Sequence, residues 1–136
     1  MSFTFSHNSK NKLTGVNEGL VRCAQKALEY GLMDFAVVQG VRTKEQQAEL
    51  YAQGRTKPGQ IVTWTMESNH LLQEDDTGHA IDIVPVINGK MDWDTLENFT
   101  FLAALMFRAA MEERVQISWG GFWKTPDRPH FELKGK

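Results

Sequence analysis

Residues 78–89 read Gly78-His79-Ala80-Ile81-Asp82-Ile83-Val84-Pro85-Val86-Ile87-Asn88-Gly89. Ala80 to Ile87 is an apolar, β-branched run of strand length. Asn88-Gly89 behind it is the dipeptide that two-residue hairpin turns favour, because both positions need positive φ. Within the run stands one charge, Asp82. Strand alternation puts Asp82 on a face with Ala80 and Val84, and turns His79, Ile81 and Ile83 the other way. A carboxylate among Ile and Val is costly to bury alone. It needs a cation, and a metal ion would serve.

Upstream, the stretch from Ser68 to Thr77 holds His70 and the acidic run Glu74-Asp75-Asp76. A long connection, Arg55 to Glu67, precedes it, with Pro58-Gly59 inside and an extended piece expected at Ile61-Val62-Thr63-Trp64-Thr65. Thr43-Lys44-Glu45-Gln46 reads as a capping box that opens a helix running to about Gln53, with Gly54 as its stop. Phe35 to Val38 is a short strand that Gly40 ends. Asn17 is expected to cap a helix whose apolar positions Leu20, Val21, Ala24, Ala27 and Leu28 repeat at helical spacing up to Gly31. Ser9 is the expected cap of a short helix before it.

Downstream, Lys90-Met91 is a brief return strand. Asp94 is the expected cap of a long helix, with Leu96, Phe99, Leu102, Ala103, Met106, Ala110 and Met111 on its apolar face. Val115-Gln116-Ile117 restarts extended chain, Trp119-Gly120-Gly121-Phe122-Trp123 is a tight aromatic loop, and His130-Phe131-Glu132-Leu133 alternates as a last strand. Strands separated by helices, with a hairpin in the middle, predict a small α+β domain spanning residues 1–136.

A chain of 136 residues with 41% hydrophobic and 24% charged residues can bury a core as one soluble domain. A net charge of −2 supplies no basic field, which argues against a nucleic-acid partner. The single cysteine, Cys23, excludes an intrachain disulfide and reads as an inert core residue. No export signal is expected from the polar start. Phe99 to Met111 is too short for a bilayer and contains Arg108. His7 reads as a solvated residue, and the tryptophans as core or pocket wall.

Chemistry gathers again in the tail. His130 heads the last strand with Glu132 on its face, and Asp127 lies three residues earlier across Arg128-Pro129. A catalytic zinc takes three protein ligands from His, Asp or Glu and keeps one position open. A carboxylate near that position, not itself a ligand, suits a general base.

Three ordered motifs carry a resemblance. Ser68-x-His70, Gly78-x-Ala80-x-Asp82 and Asp127-x-x-His130-Phe131-Glu132-Leu133 resemble the zinc D,D-carboxypeptidase and L-alanyl-D-glutamate peptidase superfamily, most closely its single-domain phage endolysins. Gly40-Val41-Arg42-Thr43, Gln53-Gly54-Arg55-Thr56 and Trp119-Gly120-Gly121 extend the match over nearly the whole chain. The resemblance implies a Hedgehog/D,D-peptidase-like fold, mainly antiparallel sheet packed with helices. It implies zinc held by His70, Asp82 and His130, Asp127 as catalytic base, Arg42 as a catalytic and substrate-binding group at the oxyanion, and Ser68 as a substrate contact. The implied substrate is the stem peptide of bacterial peptidoglycan, cut between L-Ala and D-Glu. The implied setting is a monomer made in the host cytoplasm that reaches the wall once a separate protein has permeabilised the membrane, with no insertion of its own.

Two departures stand out. Two residues usually separate the first histidine from the glycine in this family, but here Leu71 to Thr77 intervene. His79 is therefore a competing ligand, and Glu132 a competing base. The extra segment carries Glu74, Asp75 and Asp76, a candidate weak second cation site, since clustered carboxylates suit calcium. Phe122 stands where relatives commonly carry an aspartate. A D-Ala-D-Ala carboxypeptidase or dipeptidase, or a catalytically silent wall-binding domain, would use the same framework.

Overall fold

The computed structural model describes residues 3–61 and 68–134. Most of the extended piece expected at Ile61 to Thr65, with Trp64, lies outside the described residues. In chain order the elements are α1 (His7–Leu13), α2 (Glu18–Glu29), β1 (Asp34–Gln39), α3 (Lys44–Ala52), β2 (Ala80–Ile87), β3 (Lys90–Met91), α4 (Leu96–Glu113), β4 (Ile117–Trp119) and β5 (His130–Leu133). A short 3-10 turn, Gly120–Phe122, follows β4.

The strands form one antiparallel sheet in the order β1-β2-β5-β4, with β3 paired to β2. The stretch from Ala80 to Gly89 is therefore the central strand and its hairpin turn. Asn88 and Gly89 take φ of 53° and 79°, the left-handed pair that a type I′ turn requires. Ala80, Ile81, Ile83 and Val84 are all buried, so β2 is covered on both faces. The core joins Ile81, Ile83 and Phe131 of the sheet to Leu20, Ala24 and Leu28 of α2 and to Leu102 and Met106 of α4.

Helix ends follow their local chemistry, with two corrections. Asn17 caps α2 by accepting from Gly19 N–H at 2.9 Å, and Thr43 with Gln46 forms the full capping box of α3. The cap of α1, however, is Ser6. Ser9 lies one turn inside, buried, where its hydroxyl accepts from Val37 N–H at 3.0 Å and ties α1 to β1. At α4 Asp94 is not the cap, and the turn before the helix is shaped by the carboxylate of Asp92. Its Oδ1 accepts from Asp94 and Thr95 N–H, each at 3.0 Å, and its Oδ2 from Asn98 at 2.9 Å. Thr95 occupies the cap position without a side-chain bond of its own. The buried face of α4 takes in Leu105 and Ala109, while Leu96 and Met111 are exposed. Met111 is nine residues from Leu102, two and a half turns at 3.6 residues per turn, and so points away from the core.

Helix α3 is different in kind. It has no apolar stripe, and its one buried residue is Gln47. Such a helix depends on its cap. Thr43→Ala is expected to lower stability by about 1 kcal/mol in denaturant unfolding, with the first turn of α3 losing hydrogen-exchange protection first.

Candidate metal centre and active site

The site lies where β2 pairs with β5. Asp82 stands opposite His130 across that ladder and opposite Gln39 across the β1 ladder, whose register shifts between Val37 and Gln39. The bulge bends the chain so that Gly40 to Arg42 leave the sheet beside Asp82. His70 arrives from the preceding loop, where Arg42 N–H donates to its carbonyl at 2.9 Å. Thus four separate segments place His70, Asp82, His130 and Arg42 together.

The ligand-type atoms of His70, Asp82 and His130 all lie within 4.8 Å of one another. Asp82 Oδ1 is 3.3 Å from His70 Nε2 and 3.2 Å from His130 Nδ1, while Oδ2 is 3.6 Å from Arg42 Nη2. The two imidazoles meet edge to face, with ring centroids 5.0 Å apart. Both histidines are buried.

Proton positions follow from the outer partners. His70 Nδ1 lies 2.8 Å from the Gly40 carbonyl, which only accepts, so Nδ1 carries the hydrogen. Its Nε2 is then a buried lone pair with no hydrogen-bond partner, facing a carboxylate oxygen. His130 Nε2 lies 2.7 Å from Glu132 Oε1, which draws its hydrogen outward and turns Nδ1 toward Asp82. Two imidazole nitrogens and a carboxylate directed at one point, with their far sides held by a carbonyl and a carboxylate, suit a divalent metal and its outer shell.

The electrostatics agree with this donor set. Without a metal, burial opposes ionisation of Asp82, but His130 and His70, when protonated toward it, outweigh burial and hold the carboxyl well below the usual range. Burial also disfavours charge on His130, yet its bonds to Asp82 and Glu132 push it up to about 9. A metal binding there would compete with a proton. Asp127 moves in the opposite direction to Asp82. Although the residue keeps an open side to solvent, desolvation and then the Asp82 charge raise its carboxyl above the ordinary value, against the pull of His130, His70 and Arg42.

The aromatic loop fixes Asp127. Asp127 N–H donates to the Gly120 carbonyl at 2.9 Å, and His130 N–H to the Asp127 carbonyl at 3.2 Å. A Cβ at Gly120 would lie 2.3 Å from the Asp127 carbonyl oxygen, so only glycine lets the two segments close. A Cβ at Gly121 would lie 2.4 Å from the Trp119 ring. Trp119 is buried and its indole donates to the Arg128 carbonyl at 2.7 Å. Trp123 lies against the His130 ring, centroids 4.9 Å apart, and walls the site. Phe122 is exposed and stacks on Phe107. Trp93 is exposed and is neither core nor wall.

Of the other candidates, Ser68 accepts from His70 N–H at 3.1 Å and so shapes the turn that carries His70. His79 is buried but pairs with Asp75 at 3.0 Å and is not in the metal-type group. The structure does not gather Glu74, Asp75 and Asp76 into a second cation group among the described residues. Asp75 instead serves Thr77, His79 and Asn17. Two contributors carried no sequence signal: the Gly40 carbonyl, thirty positions from His70, and Gln47, whose Oε1 accepts from Arg42 Nη1 at 3.0 Å.

Comparison with known proteins places this arrangement. The chain is 36% identical to the L-alanyl-D-glutamate peptidase of Escherichia phage T5 over 134 residues, covering 98% of this chain and 91% of that one. It is 36% identical over 114 residues to the peptidoglycan L-alanyl-D-glutamate endopeptidase CwlK of Bacillus subtilis (strain 168), covering 74% of this chain and 61% of that one. The crystal structure of the Serratia marcescens L-Ala D-Glu endopeptidase ChiX superposes with a TM-score of 0.80 at 34% identity, covering 98% of this chain and 91% of that one. The family model for phage L-alanyl-D-glutamate peptidases matches residues 1–136, the full span that carries the sheet, the His-Asp-His group and the Asp127 turn, and the chain belongs to that family.

Proposed function

We propose that this peptidase cleaves the L-Ala–D-Glu bond of the peptidoglycan stem peptide with a zinc ion held by His70, Asp82 and His130. The observation that carries the metal is the orphaned, buried Nε2 of His70 directed at Asp82. The names of the relatives support the bond. Bound zinc would polarise the scissile carbonyl and lower the pKa of water toward about 7.

The chain's own groups do the rest. Asp127, raised but still solvent-accessible, accepts the proton of the attacking water and returns it to the leaving amine. The Arg42 guanidinium, held by Gln47 and set beside Asp82, stabilises the oxyanion and binds substrate. Ser68 lines the approach to His70 and contacts the peptide. Glu132 fixes the tautomer of His130 and leaves the base role to Asp127. The protein acts as a single domain and a monomer, is made in the host cytoplasm, and meets the wall after a separate protein permeabilises the membrane. No helix among the described residues is long and apolar enough to cross a membrane.

Lysis of outer-membrane-permeabilised cells tests this reading. Turbidity should fall, a chelator should stop the fall, and zinc should restore it. Lysis that ignores the chelator sinks the zinc assignment.

The pH dependence follows from Asp127. The base works ionised, and its carboxyl is raised, so activity is retained above its pKa and lost as pH falls through it. In the metal-free protein the Asp127 carboxyl is expected to titrate above the ordinary Asp value of about 3.9, as read by NMR. A midpoint at or below that value contradicts the desolvated environment.

A further inference from the structure

The segment between His70 and Gly78 is a built hairpin with a specific internal frame. Gln73 N–H donates to the Thr77 carbonyl at 2.9 Å, and Asp76 N–H closes a turn onto the Gln73 carbonyl at 2.9 Å. Asp76 takes a left-handed φ of 63°, which aspartate tolerates better than most residues. Inside the turn, Asp75 Oδ1 accepts from Thr77 N–H at 3.0 Å and from the Thr77 hydroxyl at 2.7 Å. Both Asp75 oxygens lie 3.0 Å from His79 Nε2, and Oδ2 also accepts from Asn17 at 3.3 Å. The loop is thereby fastened to the entry of β2 and to the cap of α2.

The same hairpin grips the turn that carries His70. The Gln73 amide donates to the Leu71 carbonyl at 2.8 Å and to the Ser68 carbonyl at 3.3 Å, one on each side of His70. His79 N–H donates to the Asn69 carbonyl at 2.7 Å. Carbonyls 68, 69 and 71 are therefore all held by groups that the hairpin carries or fixes. The His70 ring contributes only Nδ1 to a fixed acceptor and its Nε2 has no partner, while the His70 backbone is also held by the Ser68 hydroxyl and by Arg42 N–H. The ring has to be aimed by its backbone.

We propose that the hairpin 72–77 is a buttress that aims the first metal ligand, with Gln73 and Asp75 as positioning residues for His70. The inference rests on the reading of His70 as a ligand. The acidic run then acts as scaffold, because Asp75, although exposed, engages both oxygens with Thr77, His79 and Asn17 while Glu74 faces solvent. Outer-shell groups that orient a metal ligand contribute about 10- to 100-fold in metal affinity.

The test uses the full chain, stripped and reloaded with zinc against a competing chelator, beside its thermal midpoint and amide exchange. Gln73→Met keeps length and removes the donor. It should weaken zinc binding about tenfold, speed exchange at Leu71 and His79, and lower the metal-free midpoint only slightly. Asp75→Ala should weaken zinc binding at least as much, and Glu74→Ala should leave it unaltered. His70→Ala, run in parallel, should lose the zinc. If Gln73→Met binds zinc as tightly as the parent while His70→Ala does not, the buttress is overturned alone. If His70→Ala also retains full affinity, the ligand reading fails and the buttress with it. Should Asp75→Ala fail to fold, the Gln73→Met comparison still decides.

Discussion

His130→Ala is expected to abolish both zinc binding and peptide hydrolysis, whereas Asp127→Ala abolishes hydrolysis and keeps the zinc. The contrast comes from where the two groups sit. His130 points Nδ1 at the His70–Asp82 pair and anchors Nε2 on Glu132. Its removal leaves Asp82 and His70 with too few donors for a tetrahedral ion. Asp127 lies outside the group of metal-type donors yet close enough for its carboxyl to respond to Asp82, His130, His70 and Arg42. Loss of a general base lowers turnover by about 10² to 10⁴-fold. Loss of the metal costs several kcal/mol of transition-state stabilisation, about a thousandfold or more. Metal content by elemental analysis, read beside kcat, separates them. Asp127→Ala with most of its turnover intact would make Glu132 the base to examine.

Gly40→Ala is expected to damage the fold and the site together. The position needs glycine for space: a Cβ there would lie 1.8 Å from the Lys12 carbonyl oxygen and 2.9 Å from its carbon, both backbone atoms that cannot swing aside. Relief requires α1 to move off the end of β1, and Ser9 to loosen its bond to Val37. Overpacking of this kind costs about 3 kcal/mol or more. Gly40 also presents the carbonyl that fixes the tautomer of His70. Denaturant unfolding should show the loss of stability, and zinc affinity should fall in the surviving folded fraction. A variant as stable as the parent would mean that the end of α1 at Lys12 has room to give.

Much of the fold is legible in the sequence because it is local. The run from Ala80 to Ile87 with Asn88-Gly89 behind it fixes a strand and its turn by short-range sterics alone, and strand alternation separates Asp82 from His79. Asp82 and His130 meet because the register of β2 on β5 sets them opposite each other. Corrections arise where neighbouring residues compete for one role. Asp94 suits a cap by residue type, but the backbone path puts the cap one residue later, at Thr95, while Asp92 shapes the turn before it. Ser6 and Ser9 compete likewise, and the buried Ser9 finds its partner on another element. What carries no signature is the pairing of polar groups: the Gly40 carbonyl on His70 across thirty positions and, even at short separation, the buried Gln47 on Arg42 and the Asp75 clamp on His79. Polar residues carry no periodicity that reveals whether they face water or a buried partner.

Digestion of purified muropeptides by the zinc-loaded protein, read by mass spectrometry with and without chelator, tests the proposed zinc peptidase most directly. A newly freed D-Glu amine should appear only with zinc present and disappear in Asp127→Ala. Release of terminal D-Ala, or cleavage that persists when the metal is removed, would contradict it.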